Sequence, residues 1–189
     1  MVAAMTIALA APAALARHST PATGPAVTVC LPDAPMEPNY AIVPVTTSAI
    51  FASIGINLEW HDARHCPSDA LRISIANGAS ENIHPGALAY ALPYEGTHIV
   101  VFLDRVKAMV EPQWRPALLA HVLAHEITHI LQGCARHSES GLMKAHWSQE
   151  DYRQMSWRNL PFTQVDIALI YDGMARHTAA VALMPGIPR

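Results

Sequence analysis

The H-E-x-x-H pattern near the middle of the chain constrains this sequence more than any other feature. It is formed by His125, Glu126 and His129, inside a segment from Pro116 to Gln132 whose apolar residues recur at helical spacing. Residues four apart on a helix are separated by about 40° and ~6 Å, so both imidazoles point the same way. Because two neutral imidazoles suit zinc, the sequence predicts a metal-binding helix that ends at Gly133.

The glutamate of this pattern is placed for acid–base chemistry rather than for metal binding. Glu126 lies one residue further round the predicted helix than His125, so its carboxylate borders the metal without ligating it. A general base occupies such a position and removes a proton from the water that the metal activates. Glu126 is therefore our predicted catalytic residue.

A catalytic zinc site needs a third protein ligand and one open position. Gly133 allows a sharp turn after the helix, and His137 follows His129 at a distance that lets the chain fold back. We predict His137 as the third ligand. Glu139 and His146 are the alternatives for this role.

Beyond His137 the chain continues Ser-Glu-Ser-Gly-Leu-Met, which ends at Met143. With this turn, residues 119–147 resemble the catalytic core of metzincin-type zinc peptidases. In that clan the H-E-x-x-H helix is followed by a glycine turn, a third histidine and a Met-turn. The resemblance implies Zn²⁺ as the cofactor and Met143 as the hydrophobic floor beneath it. The segment also resembles small uncharacterised secreted bacterial proteins that share the His-Ser-x-x-Gly-x-Met pattern.

The spacing departs from the metzincin pattern in one respect. In H-E-x-x-H-x-x-G-x-x-H five residues separate the second and third histidines. Seven residues separate His129 from His137 here, and the glycine stands one place later. We therefore expect a longer excursion of the chain before His137 returns to the metal.

Residues 86–93 resemble the antiparallel edge strand that lines the cleft of matrixins, and the sequence itself predicts a short strand over Ala87–Leu92. The resemblance implies that a peptide substrate lies extended along this edge and adds backbone hydrogen bonds to it. The residues expected there are Ala87, Leu88, Ala89, Tyr90 and Ala91.

Strand patterns dominate the first half of the chain and helical patterns the second, which indicates an α+β fold. The resemblance makes this fold zincin-like or metzincin-like, with a twisted mixed sheet, an antiparallel edge strand, an active-site helix and C-terminal helices. The other predicted strands are Val27–Leu31, Ile56–Trp60, Leu71–Ile75 and Thr97–Leu103. The other predicted helices are Thr46–Ile54 and two that begin near Ser148 and Thr163, each followed by an aspartate three residues later.

The N-terminal segment is typical of an export signal. Residues 1–16 carry no charge, are almost wholly apolar and end in an Ala-Leu-Ala pattern. We predict a signal peptide over 1–16, a linker over 17–26, a catalytic domain over 27–180 and a flexible tail over 181–189. The mature protein is then expected to be secreted or periplasmic, with no stable membrane association.

Composition narrows the partners and the redox chemistry. The net charge is −3 and only 14% of residues are charged, so there is no basic excess of the kind that nucleic-acid binders carry. Three cysteines form at most one disulfide, as expected in an oxidising compartment, and Cys30–Cys66 is one of three possible pairings with Cys134.

These features lead to one hypothesis and two rivals. The hypothesis is a zinc metalloendopeptidase that hydrolyses peptide bonds in peptide or protein substrates. The first rival is a non-catalytic metal-binding protein whose open position is filled, for example by Cys134. The second is a zinc hydrolase of non-protein amides such as cell-wall peptides, which uses the same mechanism. The sequence does not give the oligomeric state.

Overall fold

A computed structural model describes residues 24–32, 38–78, 86–92 and 97–182. The predicted signal peptide and most of the predicted linker and tail lie outside these residues. The described strands are β1 Ala26–Cys30, β2 Asn57–His61, β3 Leu71–Ala76, β4 Ala89–Ala91 and β5 His98–Phe102. The described α-helices are α1 Ile42–Ala52, α2 Leu103–Met109, α3 Arg115–Gln132, α4 Gln149–Met155 and α5 Gln164–Ala182.

The five strands form one mixed sheet in the order β2-β1-β3-β5-β4. Neighbouring strands run parallel except β4, which lies antiparallel to β5 at the edge. Helices α1 and α3 pack against the sheet and against each other, and α2, α4 and α5 pack against α3. The predicted α+β class with an antiparallel edge strand is therefore confirmed.

The register of β4 determines which of its backbone groups face the open edge. The Phe102 N–H donates to the Leu88 carbonyl, and Tyr90 lies opposite Val100. Because hydrogen-bonded and non-hydrogen-bonded positions alternate in an antiparallel pair, Ala89 and Ala91 direct their N–H and C=O groups away from β5. At these two alanines the sheet therefore presents outward backbone groups that pair with no neighbouring strand.

Several predicted element boundaries differ from those of the structure. The edge strand is confined to Ala89–Ala91, so Ala87, Leu88 and Leu92 lie outside it. Helix α1 begins at Ile42 rather than at Thr46, because Pro44 lies in the first turn, where its missing N–H breaks no helical bond.

Helix α2 was absent from the predicted elements. The sequence analysis continued the strand through Thr97–Leu103, but β5 ends at Phe102 and Leu103 begins the helix. Asp104 stands exposed in the first turn and Val106 is buried, so α2 is a short amphipathic helix.

Helix α3 is the centre of the molecule. Fourteen of its 18 residues are buried. They include four titratable side chains, namely His121, His125, Glu126 and His129. It begins and ends close to the predicted bounds, and Gly133 terminates it in the left-handed conformation with a φ of 66°. Within the described ranges, no helix combines the length and apolar character that a membrane span requires.

Local signals in the remaining chain behave as predicted. Ser148 and Asp151 form a capping box at the start of α4, and Thr163 and Asp166 do the same at α5. Cys30 and Cys66 form a disulfide with an S–S distance of 2.05 Å, which leaves Cys134 as the free thiol. Of the three possible pairings, the structure thus selects the one that joins β1 to the segment after β2.

His121, one turn before the motif, is a structural histidine. Its side chain is fully buried, its Nδ1 donates to the Ala117 carbonyl at 2.7 Å, and its Nε2 accepts from the Leu160 N–H at 3.1 Å. These two bonds use both nitrogens of a neutral imidazole, and the bond from Leu160 ties α3 to the segment before α5. Burial lowers the pKa of His121 below its ordinary value, so the ring stays neutral.

We expect His121→Leu to destabilise the metal-free protein by about 1–3 kcal/mol, because the buried Leu160 N–H then has no acceptor. His177→Leu is the matched control, since His177 is exposed on α5, and its effect should stay within about 0.5 kcal/mol. Urea unfolding of both variants measures the difference. Equal stability of the two variants would contradict a structural role for His121.

The same bonds predict a pH dependence. Native His121 has a lowered pKa, whereas the unfolded chain takes up a proton on this residue below about pH 6.5. The unfolded state therefore binds more protons on this residue as the pH falls, and the contribution of His121 to stability is lost below that pH. The stability gap between the wild type and His121→Leu should narrow from pH 7 to pH 5 in urea titrations. A constant gap would show that the pKa of His121 is the same in the native and the unfolded state.

Candidate metal centre

Three imidazoles converge at the C-terminal end of α3. The ligand atoms that His125, His129 and His137 offer all lie within 4.8 Å of one another. His125 and His129 come from the same face of the helix, and His137 comes from the loop that follows Gly133. The His137 ring stacks on His125 at a centroid distance of 5.3 Å and meets the His129 ring edge-on at 4.9 Å.

Backbone carbonyls orient the two helical imidazoles. His125 Nδ1 lies 3.0 Å from the Leu142 carbonyl oxygen, and His129 Nδ1 lies 3.1 Å from the Cys134 carbonyl oxygen. A carbonyl oxygen only accepts, so each Nδ1 carries the proton and each Nε2 carries a lone pair. This is the arrangement that holds metal-ligating histidines in other proteins.

The two Nε2 atoms face each other at 3.0 Å. When both rings are neutral, two lone pairs meet in a buried place, which is unfavourable unless a cation or a proton lies between them. Two zinc–nitrogen bonds of about 2.0–2.1 Å at a tetrahedral angle bring their nitrogens to about 3.3 Å, close to the observed separation. The cluster therefore fits Zn²⁺.

The electrostatics of the cluster favour neutral rings. Burial, with the nearby His129, lowers the pKa of His125 to about 3. Burial also lowers the pKa of His129 to about 4 and moves that of His137 downward. All three imidazoles are thus in the neutral, ligating form at neutral pH. His137 is exposed, so one side of the cluster is open to solvent.

Glu126 lies beside the cluster without belonging to it. It precedes His129 by three residues, so the two side chains are neighbours on the helix surface. Its carboxylate is buried and accepts a hydrogen bond from the Ala91 N–H at the open edge of β4. Burial raises the pKa of Glu126 to about 7, and the bond from Ala91 acts in the opposite direction. The carboxylate is therefore held between the metal ligands and the edge strand.

A tight turn after the loop supplies the carbonyl that holds His125. Gly141 has a φ of +73°, and a Cβ there would lie 2.3 Å from the Pro161 carbonyl oxygen, so only glycine fits. Leu142 and Met143 follow and are fully buried. Met143 thus lies next to the residue whose carbonyl orients a ligand.

Trp147 contributes to the site, although the sequence analysis assigned it no role. Its Nε1–H donates to the Leu142 carbonyl at 3.2 Å, the same oxygen that accepts from His125. Its ring also meets the His125 imidazole edge-on at 5.5 Å. No local pattern carries this information, because it depends on how the turn at 140–144 folds back.

The alternatives for the third ligand are not part of the cluster. Within the described residues, the cluster contains neither Glu139 nor His146, and the thiol of Cys134 points to the Gln132 side-chain oxygen at 3.8 Å. Among the other residues that the structure describes, no second group of metal-ligating side chains forms. In particular, Cys66 beside His61 and His65 is taken up by the disulfide.

Comparisons with known proteins give a structural likeness. No protein-family model matches the sequence, and no curated protein sequence matches it either. The fold is similar to the crystal structure of archaemetzincin from Methanopyrus kandleri, with a TM-score of 0.54 and 13% sequence identity. The match covers 84% of this chain and 99% of that one. At this identity the likeness shows the fold alone, which is zincin-like.

The geometry predicts that purified protein binds about one zinc per chain and that His129→Ala loses it, because a tetrahedral site left with two imidazoles holds zinc weakly. Mass spectrometry of metal content measures both proteins after loading with zinc. His177→Ala, which removes an exposed imidazole from α5, should keep the metal. If the wild type stayed metal-free after incubation with zinc, the H-E-x-x-H segment would be purely structural.

Proposed function

We propose that this chain is a secreted zinc metalloendopeptidase of the metzincin type. The observation that carries the proposal is the cluster of His125, His129 and His137, with the Glu126 carboxylate beside it at the open edge of β4. The zincin-like fold supports it, and so does the fit of the cluster to a zinc ion. Met143, buried in the turn beyond His137, fits the Met-turn of that clan.

The three histidines would hold the metal, and zinc bound there would act as a Lewis acid and lower the pKa of water. Glu126 stands outside the ligand set, so its carboxylate is free to take the proton from the attacking water. It then returns a proton to the leaving amine. The Ala91 N–H holds this carboxylate at the edge strand, which places the proton acceptor where a bound peptide would pass.

The substrate proposed is an extended polypeptide. The outward N–H and C=O groups of Ala89, with the outward carbonyl of Ala91, would pair with its backbone as an added strand. Pairing through the main chain favours peptides over compact ligands, because an extended backbone can match two successive outward positions. Secretion or a periplasmic location is consistent with the Cys30–Cys66 disulfide, which an oxidising compartment maintains.

We predict that Glu126→Gln binds zinc like the wild type and loses hydrolysis by about 100-fold or more, because the amide has the shape of the carboxylate but cannot accept the proton. Cleavage of a mixed peptide library, read by mass spectrometry, measures activity beside the zinc content. Glu139→Gln is the matched control, since this exposed glutamate follows His137 but stays outside the cluster.

The outcomes separate the rivals. Full activity of Glu126→Gln would refute its role as general base. Cleavage of cell-wall fragments with no cleavage of peptides would favour the amide hydrolase, and stoichiometric zinc without any hydrolysis would favour a metal-binding protein.

A further inference from the structure

Asp166 forms the capping box of α5 with Thr163, and its carboxylate is buried more deeply than a cap requires. Its side chain is fully buried, whereas Asp151, at the same position in the capping box of α4, keeps 16% of its side chain exposed. A buried carboxylate is unfavourable unless hydrogen-bond donors surround it. The hydrogen-bond donors around Asp166 therefore indicate why its carboxylate is buried.

The two carboxylate oxygens of Asp166 serve different segments. Oδ2 accepts from the N–H and the hydroxyl of Thr163 at 2.9 and 2.7 Å, which is the cap itself. Oδ1 accepts from the hydroxyl of Ser138 at 2.5 Å and from the guanidinium of Arg136 at 3.1 Å. Burial would raise the pKa of Asp166, but the bonds from Ser138, Thr163 and Arg136 outweigh it and keep the group ionised.

Ser138 and Arg136 flank the third imidazole of the cluster. His125 and His129 are each held through Nδ1 by a carbonyl oxygen. The His137 ring makes no side-chain hydrogen bond within the described residues and is exposed. Its position therefore depends on the backbone on either side of it, and Asp166 binds the side chains of both neighbours.

Further contacts connect the same loop to the rest of the centre. The Ser138 N–H donates to the Met143 carbonyl at 2.7 Å, and the carbonyl of Asp166 accepts from the Gln132 amide at 3.3 Å. Asp166 thus contacts the loop at 136–138 and the last residue of α3, the two segments that supply the imidazoles.

We propose that Asp166 is the positioning residue for His137: its buried carboxylate fixes residues 136–138 against α5, so that the third imidazole meets the other two. This inference rests on the proposed metal centre but not on the peptidase activity. A purely capping Asp166 would stabilise α5 and leave the metal affinity unchanged, which makes the two roles separable.

The test compares two variants that each remove one hydroxyl donor to the Asp166 carboxylate. Ser138→Ala removes the hydroxyl donor from the loop, and Thr163→Val removes the hydroxyl donor from the start of α5. Zinc affinity of each full-length protein is measured by competition with a chromophoric chelator, and unfolding by urea is measured in parallel on metal-free samples. The visible spectrum of the Co²⁺-loaded proteins reports the coordination geometry.

We expect Ser138→Ala to lower the zinc affinity by about 10-fold or more and to alter the Co²⁺ spectrum. Thr163→Val should lose more stability, because it also removes the acceptor for the Asp166 N–H, yet keep the wild-type affinity and spectrum. Asp166→Asn should resemble Ser138→Ala in affinity. If Asp166→Asn fails to fold, the two hydroxyl variants still decide the question.

Two results would overturn the proposal. The first is wild-type zinc affinity in Ser138→Ala, and the second is a loss of zinc affinity in both hydroxyl variants that scales with the loss of stability of each. A wild type that binds no zinc would overturn the metal centre and this inference with it. A wild type that binds zinc and hydrolyses nothing would overturn only the peptidase.

Discussion

The burial of α3 is the constraint on which the rest of the structure depends. A helix enclosed on nearly all sides has to provide a partner for each of its polar side chains. His121 and Thr128 find carbonyl oxygens within α3 itself, at Ala117 and Ala124. His125 and His129 instead donate to carbonyls of the chain beyond the helix, and their Nε2 lone pairs are left facing each other. The need for a cation thus follows from the hydrogen bonds of one buried helix.

The helix and the loop after it depend on each other for their conformation. The imidazoles need the carbonyls of Cys134 and Leu142, and those carbonyls are presented only if the chain turns sharply at two places. Gly133 supplies the first turn with a left-handed φ, and Gly141 supplies the second where Pro161 leaves no room for a Cβ. The glycines therefore act on the centre indirectly, because they aim the acceptors that fix the ligands.

The features that could be predicted from the sequence are those that local residue patterns encode. Helix α3, its glycine end and the two capping boxes depend on residues within a few positions of one another, and all are present in the structure. Helix α2 was missed because its polar residues resemble a strand end until the burial of Val106 is known. The roles of Trp147 and Asp166 depend on contacts across 22 and 28 positions of the chain, for which no periodicity or motif gives a signal.

The longer interval between His129 and His137 explains why the centre needs support from α5. Closure entropy rises slowly with loop length, so two residues beyond the usual metzincin spacing change the free energy of the loop little. They do add conformations in which the exposed imidazole misses its partners, and that ring has no hydrogen bond of its own among the described residues. A short loop can place a ligand through its backbone geometry alone. A longer one needs a fixed point outside itself, and the buried carboxylate of Asp166, bound to both neighbours of His137, has the position and the charge for it.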